Sequence, residues 1–388
     1  MKKLIIIAAI AFILLVIAFV VVRCRSVSSA NNSADAIPLN LSMETSAAEI
    51  VEHIKIGWNL GNTLDPVNLF WLPENARLSQ FESAWGNPVT TQAMIDAVKN
   101  AGFNALRIPV SWSKVVDDQY NIRADWMERV IQVVNYGVSN DMFIILNTHH
   151  DESIFKFMDA EMEESAKAFQ RIWEQIAFTF RDYDIKLMFE GLNEPRTVGS
   201  SMEWNGGTPE EHRNLNIMNQ LFVDTVRAGG GNNEKRVLLV PTYAASATSA
   251  AMNALVIPND PKNTNNKIIV SIHAYEPYNF ALNENSPVNT WSNVNASDTW
   301  PIIERVNRMY DMYVSRGIPV ILGELGALNK NNEDARAQWA EYYISYAKSR
   351  GIKCFWWDDG GNFLLLNRRA GVFTYPQIVE ALIRGAEQ

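Results

Sequence analysis

From about residue 54 to residue 358 one pattern repeats eight times: a short apolar run, then a longer amphipathic stretch. The runs are Ile54–Trp58, Ala105–Val110, Met142–Thr148, Lys186–Glu190, Val237–Val240, Lys267–His273, Pro319–Glu324 and Lys353–Trp357. Each is too short for a stable helix and apolar on both faces, which suits a strand covered on both sides. Between them, helical periodicity covers Thr91–Asn100, Asp125–Ser139, Ala166–Phe180, Glu210–Arg227, Trp300–Ser315 and Asp334–Ser349. Several of these stretches end at glycine, at Gly102, Gly229 to Gly231, Gly317 and Gly351, where a helix closes on a left-handed residue. Strands alternating with helices wind into a parallel sheet. Eight such units predict an α/β fold, a closed (β/α)8 TIM barrel, opened by a short helix over Ser46–His53. A doubly wound sheet would want a glycine-rich phosphate loop after its first strand. Gly57-Trp58-Asn59-Leu60-Gly61-Asn62 lacks that spacing, and polar residues crown nearly every strand end rather than one crevice.

Upstream of the barrel the sequence changes character. Lys2 and Lys3 precede an unbroken apolar run from Leu4 to Val22, closed by Arg23 and Arg25. The run exceeds a signal-peptide core of ~7–15 residues and approaches the ~20 that span a bilayer. Residues 1–25 therefore read as a secretory signal or a signal anchor, with Ser28-Ser29-Ala30 as a small-residue cleavage site. Residues 26–44 read as a polar linker and 45–388 as one domain. Either reading of the N-terminus puts that domain outside the cytoplasm, secreted or held at the membrane.

The formal net charge of -9 argues against nucleic acid and anionic surfaces as partners and favours a neutral ligand. Twelve tryptophans are more than a core needs, and flat indole faces suit pyranose rings. The only cysteines, Cys24 and Cys354, imply no disulfide framework.

Chemistry in such a barrel is assembled from the C-terminal ends of its strands. Read in order, those ends carry Asn59, Arg107, His149-His150-Asp151, Glu190 with Asn193 and Glu194, His273 with Tyr275, Glu324, and Trp356-Trp357-Asp358-Asp359. Three of the five histidines fall in this set. Taken singly, each has a bland reading: a strand-end Glu is usually an ion-pair partner, Arg107 a counter-ion, His150 a loop cap. Their joint placement points to chemistry. Glu194 and Glu324, from the fourth and seventh strands, can converge across the mouth of an eight-stranded ring. A retaining glycosidase needs two carboxyl groups ~5–5.5 Å apart, one protonated and one ionised. Glu324 is then the nucleophile, held ionised by Arg107 and a Tyr275 hydroxyl. Glu194 is the acid/base, kept protonated by the neighbouring negative charge. Asn59, Arg107, His149, His150, Asn193, His273, Tyr275 and Trp357 make up the expected binding set, with Asn193 at the sugar 2-OH and Trp357 as a floor. Glu190 reads as a buried carboxylate behind them. Strand alternation turns one of Trp356 and Trp357 towards packing. A metal-dependent hydrolase using His149, His150 and His273 lacks the ligand spacing, and Arg107 would repel the cation, so no metal or cofactor is expected.

At these residues the chain resembles glycoside hydrolase family 5. The segments that carry the likeness are Gly57–Asp65, Glu82–Pro88, Arg107–Trp112, Asn147–His150, Gly191–Arg196, His273–Pro277, Gly323–Gly326 and Trp356–Gly360. The Asn193-Glu194-Pro195 tripeptide alone is only moderately specific; the ordered set is very specific. The resemblance implies a retaining (β/α)8 glycosidase with Glu194 in the acid/base slot and Glu324 in the nucleophile slot. It also puts Arg107, His149, Asn193, His273, Tyr275 and Trp357 at the other active-site positions. The Trp58–Asp65 and Ala84–Pro88 segments resemble the subgroup active on β-1,4-glucans. That implies an endo-β-1,4-glucanase whose partner is a β-glucan polysaccharide of the cellulose or mixed-linkage type; separately, a monomer is expected. Xyloglucan and mannan are the alternative substrates, and a non-catalytic surface glycan-binding protein is the alternative class. Asp359 stands where much of the subgroup has Asn, and is expected to adjust a loop or subsite.

Overall fold

The computed structural model describes residues 41–388 apart from 74, 75 and 265. The segment read as a signal or anchor, and most of the polar linker, lie outside the described residues. Among the described residues no helix is long and apolar enough to cross a membrane.

Eight parallel strands close a barrel in chain order: β1 (Gly57–Leu60), β2 (Ala105–Ile108), β3 (Phe143–Asn147), β4 (Leu187–Glu190), β5 (Leu238–Ser246), β6 (Ile268–His273), β7 (Val320–Leu325) and β8 (Lys353–Asp358). β1 pairs with both β2 and β8, which seals the ring and leaves no open edge. The expected (β/α)8 barrel is thus the observed fold, and every expected run overlaps its strand.

Two boundaries differ for physical reasons. β1 starts three residues later than expected because Ile54 caps the opening helix, Ala47–His53, with its N–H bonded back to Ile50 and Val51. Ser46 and Glu49 begin that helix with a reciprocal capping box, so the local sequence favours helix right up to the strand. β5 runs longer than its apolar core. Its register with β6 slips between Pro241 and Ser246, where Ala244 and Ala245 take φ values of 51° and 47°. The slip carries the following residues over the barrel mouth. The Lys267 ammonium donates to the carbonyl of Met43 at 2.7 Å, which ties the start of the barrel unit, from Ser42, to β6.

Six of the twelve tryptophans, Trp58, Trp112, Trp126, Trp173, Trp339 and Trp356, are fully buried in the core. Trp71, Trp85, Trp204 and Trp300 are exposed, and the surplus is therefore divided between packing and surface. Beyond the expected elements, a C-terminal helix, Pro376–Glu387, packs on helix Glu333–Ser349. Gly385 makes that approach possible, since a Cβ there would sit 2.7 Å from the Glu341 carbonyl oxygen.

Candidate active site

Arg107 organises the site from below. β2 buries it completely, and its guanidinium divides its donors among three strands' worth of acceptors. Nε donates to Glu190 at 2.8 Å, Nη1 to Glu324 Oε1 at 2.8 Å and to Asn59 Oδ1 at 2.9 Å, and Nη2 to Asn193 Oδ1 at 2.6 Å. Burial alone would discourage its charge; Glu190 and Glu324 more than offset this, so its pKa is raised and it stays cationic. Glu190 also accepts from Asn147 Nδ2 at 2.9 Å and Ser271 Oγ at 2.5 Å. A buried ion pair survives removal from water only when its remaining lone pairs are satisfied in this way.

Glu324 takes a second donor from the other side. Tyr275 Oη donates to Oε2 at 2.9 Å. Burial and the Glu324 charge push the phenol's pKa well above its usual value, so the hydroxyl keeps its proton and remains a donor. One donor from β2 and one from the segment after β6 therefore aim one carboxylate at the mouth.

Glu194 faces it. Its Oε1 lies 2.9 Å from His273 Nδ1, and that nitrogen is 3.6 Å from Glu324 Oε2. One oxygen of each carboxyl and a His273 nitrogen all lie within 4.8 Å of one another. That matches the ~5–5.5 Å spacing of direct nucleophilic attack, not the ~6.5–9.5 Å that leaves room for a water. Electrostatics here differ from the expectation that Glu324 keeps Glu194 protonated. Burial pushes the Glu194 pKa up, but the His273 hydrogen bond and charge, Arg196 and His150 outweigh it, and the carboxyl stands below its usual range. The Glu324 charge is absorbed by Arg107 and Tyr275, whereas Glu194 looks onto Arg196 and His150. Arg196 Nη1 is 3.8 Å from Glu194 Oε2. A sugar that strips water from Glu194 works in the opposite direction, towards the protonated acid.

The flanking residues shape a cleft of about 600 Å³. His149 stacks parallel to Trp357 with centroids 5.7 Å apart. Burial, with His150 and Arg107 nearby, drives its pKa well below 6.5, so it is neutral. Asn147 Nδ2 donates to its Nδ1 at 3.1 Å, which leaves Nε2–H as the free donor. His150 differs: burial opposes its charge, but Glu152, at 3.5 Å, raises its pKa. Asn193 spends its carbonyl on Arg107 and keeps its amide N–H groups for the cleft. Trp357 lies half-buried on the cleft wall, and Gly61 lets the chain pass it, since a Cβ there would be 2.8 Å from the indole. Trp356 points the other way, fully buried, with Nε1 bonded to the Phe363 carbonyl.

Two members of the expected binding set sit elsewhere. Asn59 and Arg107 are fully buried under the floor and are not among the cleft's lining residues. Asn59 spends its amide on the carbonyls of Gly323 and Trp356, so it braces β7 and β8 rather than meeting a ligand. His149, His150, Asn193, Glu194, His273, Tyr275, Glu324 and Trp357 all line the cleft. Asp359 acts on its loop: Oδ1 accepts from Gly361 and Phe363 N–H, and Phe363 lines the cleft.

The sequence reading missed Arg196, Trp204 and Tyr278. Trp204 is exposed on the cleft with the Arg196 guanidinium 4.5 Å from its ring. Its signal was a tryptophan in a loop, Asn205-Gly206-Gly207, with no strand or helix period to bury it. Among the described residues two clusters could present metal ligands, Asp65–His149–His150 and Glu194–His273–Glu324. Their atoms are already engaged: Asp65 accepts the Asn62 and Thr63 N–H groups, and Glu324 is paired with Arg107. The donor set therefore suits a metal poorly.

Comparison with known proteins supports the same class. The chain is 41% identical to endoglucanase A of Clostridium longisporum, over 92% of this chain and 69% of that protein. A broad-specificity GH5-4 endoglucanase from Ruminococcus champanellensis, solved with cellotriose, superposes with a TM-score of 0.85 at 45% identity, covering 88% of this chain and 99% of that one. A family 5 lichenase from Caldicellulosiruptor sp. F32, solved with cellotetraose, gives 0.84 at 42% identity, covering 88% and 96%. The barrel and its paired carboxyls thus define a glycoside hydrolase. The family described as Cellulase (glycosyl hydrolase family 5) matches residues 69–362, and the chain belongs to it.

Proposed function

We propose that this chain is a retaining endo-β-1,4-glucanase acting on cellulose-like or mixed-linkage glucans. The observation that carries the reading is the approach of Glu194 and Glu324, with one oxygen of each within 4.8 Å of the other and His273 hydrogen-bonded to Glu194 beside them. Glu324 attacks the anomeric carbon as the glycosidic C–O bond breaks, and Glu194 gives its proton to the departing oxygen. Water then attacks the glycosyl-enzyme ester; Glu194 takes the water's proton and Glu324 leaves as carboxylate. Asn193 and His149 offer N–H donors to the reacting sugar, and Trp357 offers it a face. Beyond Glu194 the cleft is walled by Trp204, Ser246, Thr248, Tyr278 and Arg305, which suits the leaving part of the chain. An open cleft lined by aromatic faces fits internal attack on a long polymer. The bound cello-oligosaccharides of the two solved relatives support a β-1,4-linked glucan as the ligand. The positive start and apolar run of residues 2–22 support export, secreted or membrane-held, and a monomer suffices because the site is complete in one chain.

The test is substitution with substrates of unequal leaving groups. Glu324→Ala abolishes turnover of mixed-linkage glucan and of aryl cellobioside alike. Glu194→Ala lowers glucan turnover by ~10²–10⁴-fold yet spares formation of the glycosyl-enzyme from an aryl cellobioside with a good leaving group. Glucan turnover at wild-type rate in either variant would overturn the assignment.

A further inference from the structure

Lys330 lies on the loop after β7 and meets none of the catalytic groups described above, yet its ammonium is held unusually closely. Its three N–H groups are shared among four backbone carbonyls of the segment after β6: Asn279 at 2.8 Å, Asn283 at 3.0 Å, Ser286 at 3.2 Å and Val288 at 3.1 Å. Four carbonyl dipoles converging on one point repel one another unless a positive charge sits between them. This is the oxygen shell of a coordinated cation, filled by a side chain. Desolvation lowers the pKa of the amine.

The same two loops are fastened at both flanks of the shell. Leu328 N–H donates to the Ala281 carbonyl at 3.0 Å, and Asn332 Nδ2 to the Asn289 carbonyl at 2.8 Å. The clasped loop matters because it supplies the cleft. Tyr278 and Leu282 line it, and three residues before Tyr278 the same segment carries Tyr275, the donor to Glu324. Tyr278 is 56% exposed, so no packing of its own fixes where it stands. Its position is inherited from the loop.

We propose that Lys330 is a specificity-determining positioning residue: its ammonium replaces a structural cation and sets the 278–288 loop so that Tyr278 and Leu282 form one wall of the polymer-binding cleft. The proposal rests on the glucanase reading and adds to it the group that shapes this wall. A methionine at 330 has nearly the same length but no donors, and the four carbonyls then turn to water and spread. Arginine does not substitute, because a planar fork cannot face four convergent oxygens. A short aryl glycoside bound around Trp357 senses little of this wall, whereas a polymer crosses it.

The experiment measures KM and kcat of wild type, Lys330→Met and Lys330→Ala on mixed-linkage β-glucan and on an aryl β-cellobioside. Lys330→Met should raise KM for the glucan about fivefold or more, through a wall that must be ordered on binding. Its kcat on the aryl cellobioside should stay within about twofold of wild type. Limited proteolysis should cut the Met variant faster between residues 282 and 290. n-Propylammonium, which matches the atoms removed in Lys330→Ala, should restore that variant's KM, while n-propanol should not, and neither should act on Lys330→Met. An unchanged glucan KM, an equal loss of kcat on both substrates, or the absence of ammonium rescue overturns the inference. Wild type that fails to cleave the glucan overturns the glucanase reading, and the specificity role with it. Wild-type cleavage with an unchanged KM in Lys330→Met overturns this inference alone.

Discussion

At the scale of single residues the site is a problem in dividing charge. One buried cation, Arg107, serves two buried carboxylates, and Glu190 takes the share that Glu324 does not. Glu190→Gln keeps acceptors for Arg107 and Asn147 but removes the balancing charge. It should cost about 3 kcal/mol of folding stability, the lower range for breaking a buried pair, measured by urea titration. It should also draw Arg107 wholly onto Glu324 and lower kcat more than it changes KM. Glu194 shows what one sequence conceals. Its strand-end position and its Asn-Glu-Pro context were legible; its electrostatic environment was not, because His273 and Arg196 reach it through space. Since the His273 bond and charge act to lower the Glu194 pKa, Glu194 ionises at lower pH than it would without them. His273→Ala removes that effect and raises the pKa. Glu194 then stays protonated to higher pH, and the basic limb of kcat/KM should move to higher pH. A limb that stays in place or moves to lower pH would contradict the assignment of that limb to Glu194.

Among the elements, strands were legible and loops were not. A strand buried on both faces declares itself as a short apolar run, as Ile268–His273 does. The β5 extension did not, because Thr242 to Ser246 carry no period, and their course depends on two alanines at positive φ. The closing helix carries a buried apolar stripe, Ile378, Val379, Ala381, Leu382 and Ala386. Its glycine gives a test of packing against propensity. Gly385→Ala should gain up to about 1 kcal/mol from helix propensity alone. The new methyl, however, meets a backbone oxygen at 2.7 Å that cannot swing aside. Overpacking of about 1–3 kcal/mol should therefore prevail. Thermal unfolding should show a lower Tm with unchanged kcat at low temperature, and a higher Tm would refute the close contact.

For the whole molecule, the barrel explains why residues more than two hundred positions apart act together. Arg107, Glu194, His273 and Glu324 lie on or just after β2, β4, β6 and β7, and a closed ring brings those ends to one mouth. The ring was legible from the eightfold rhythm, and the catalytic pair from its strand ends. The walls were not, since Trp204, Tyr278 and Lys330 belong to loops whose course is set by tertiary contacts. Retention is the central claim, and it follows from the short distance between the two carboxyls. The direct measurement is proton NMR of the anomeric configuration of the reducing ends first released from β-glucan, read before mutarotation. The account predicts the β anomer first, with the α anomer growing in later. First release of the α anomer would mean single displacement by water, and would contradict the roles given to Glu324 and Glu194.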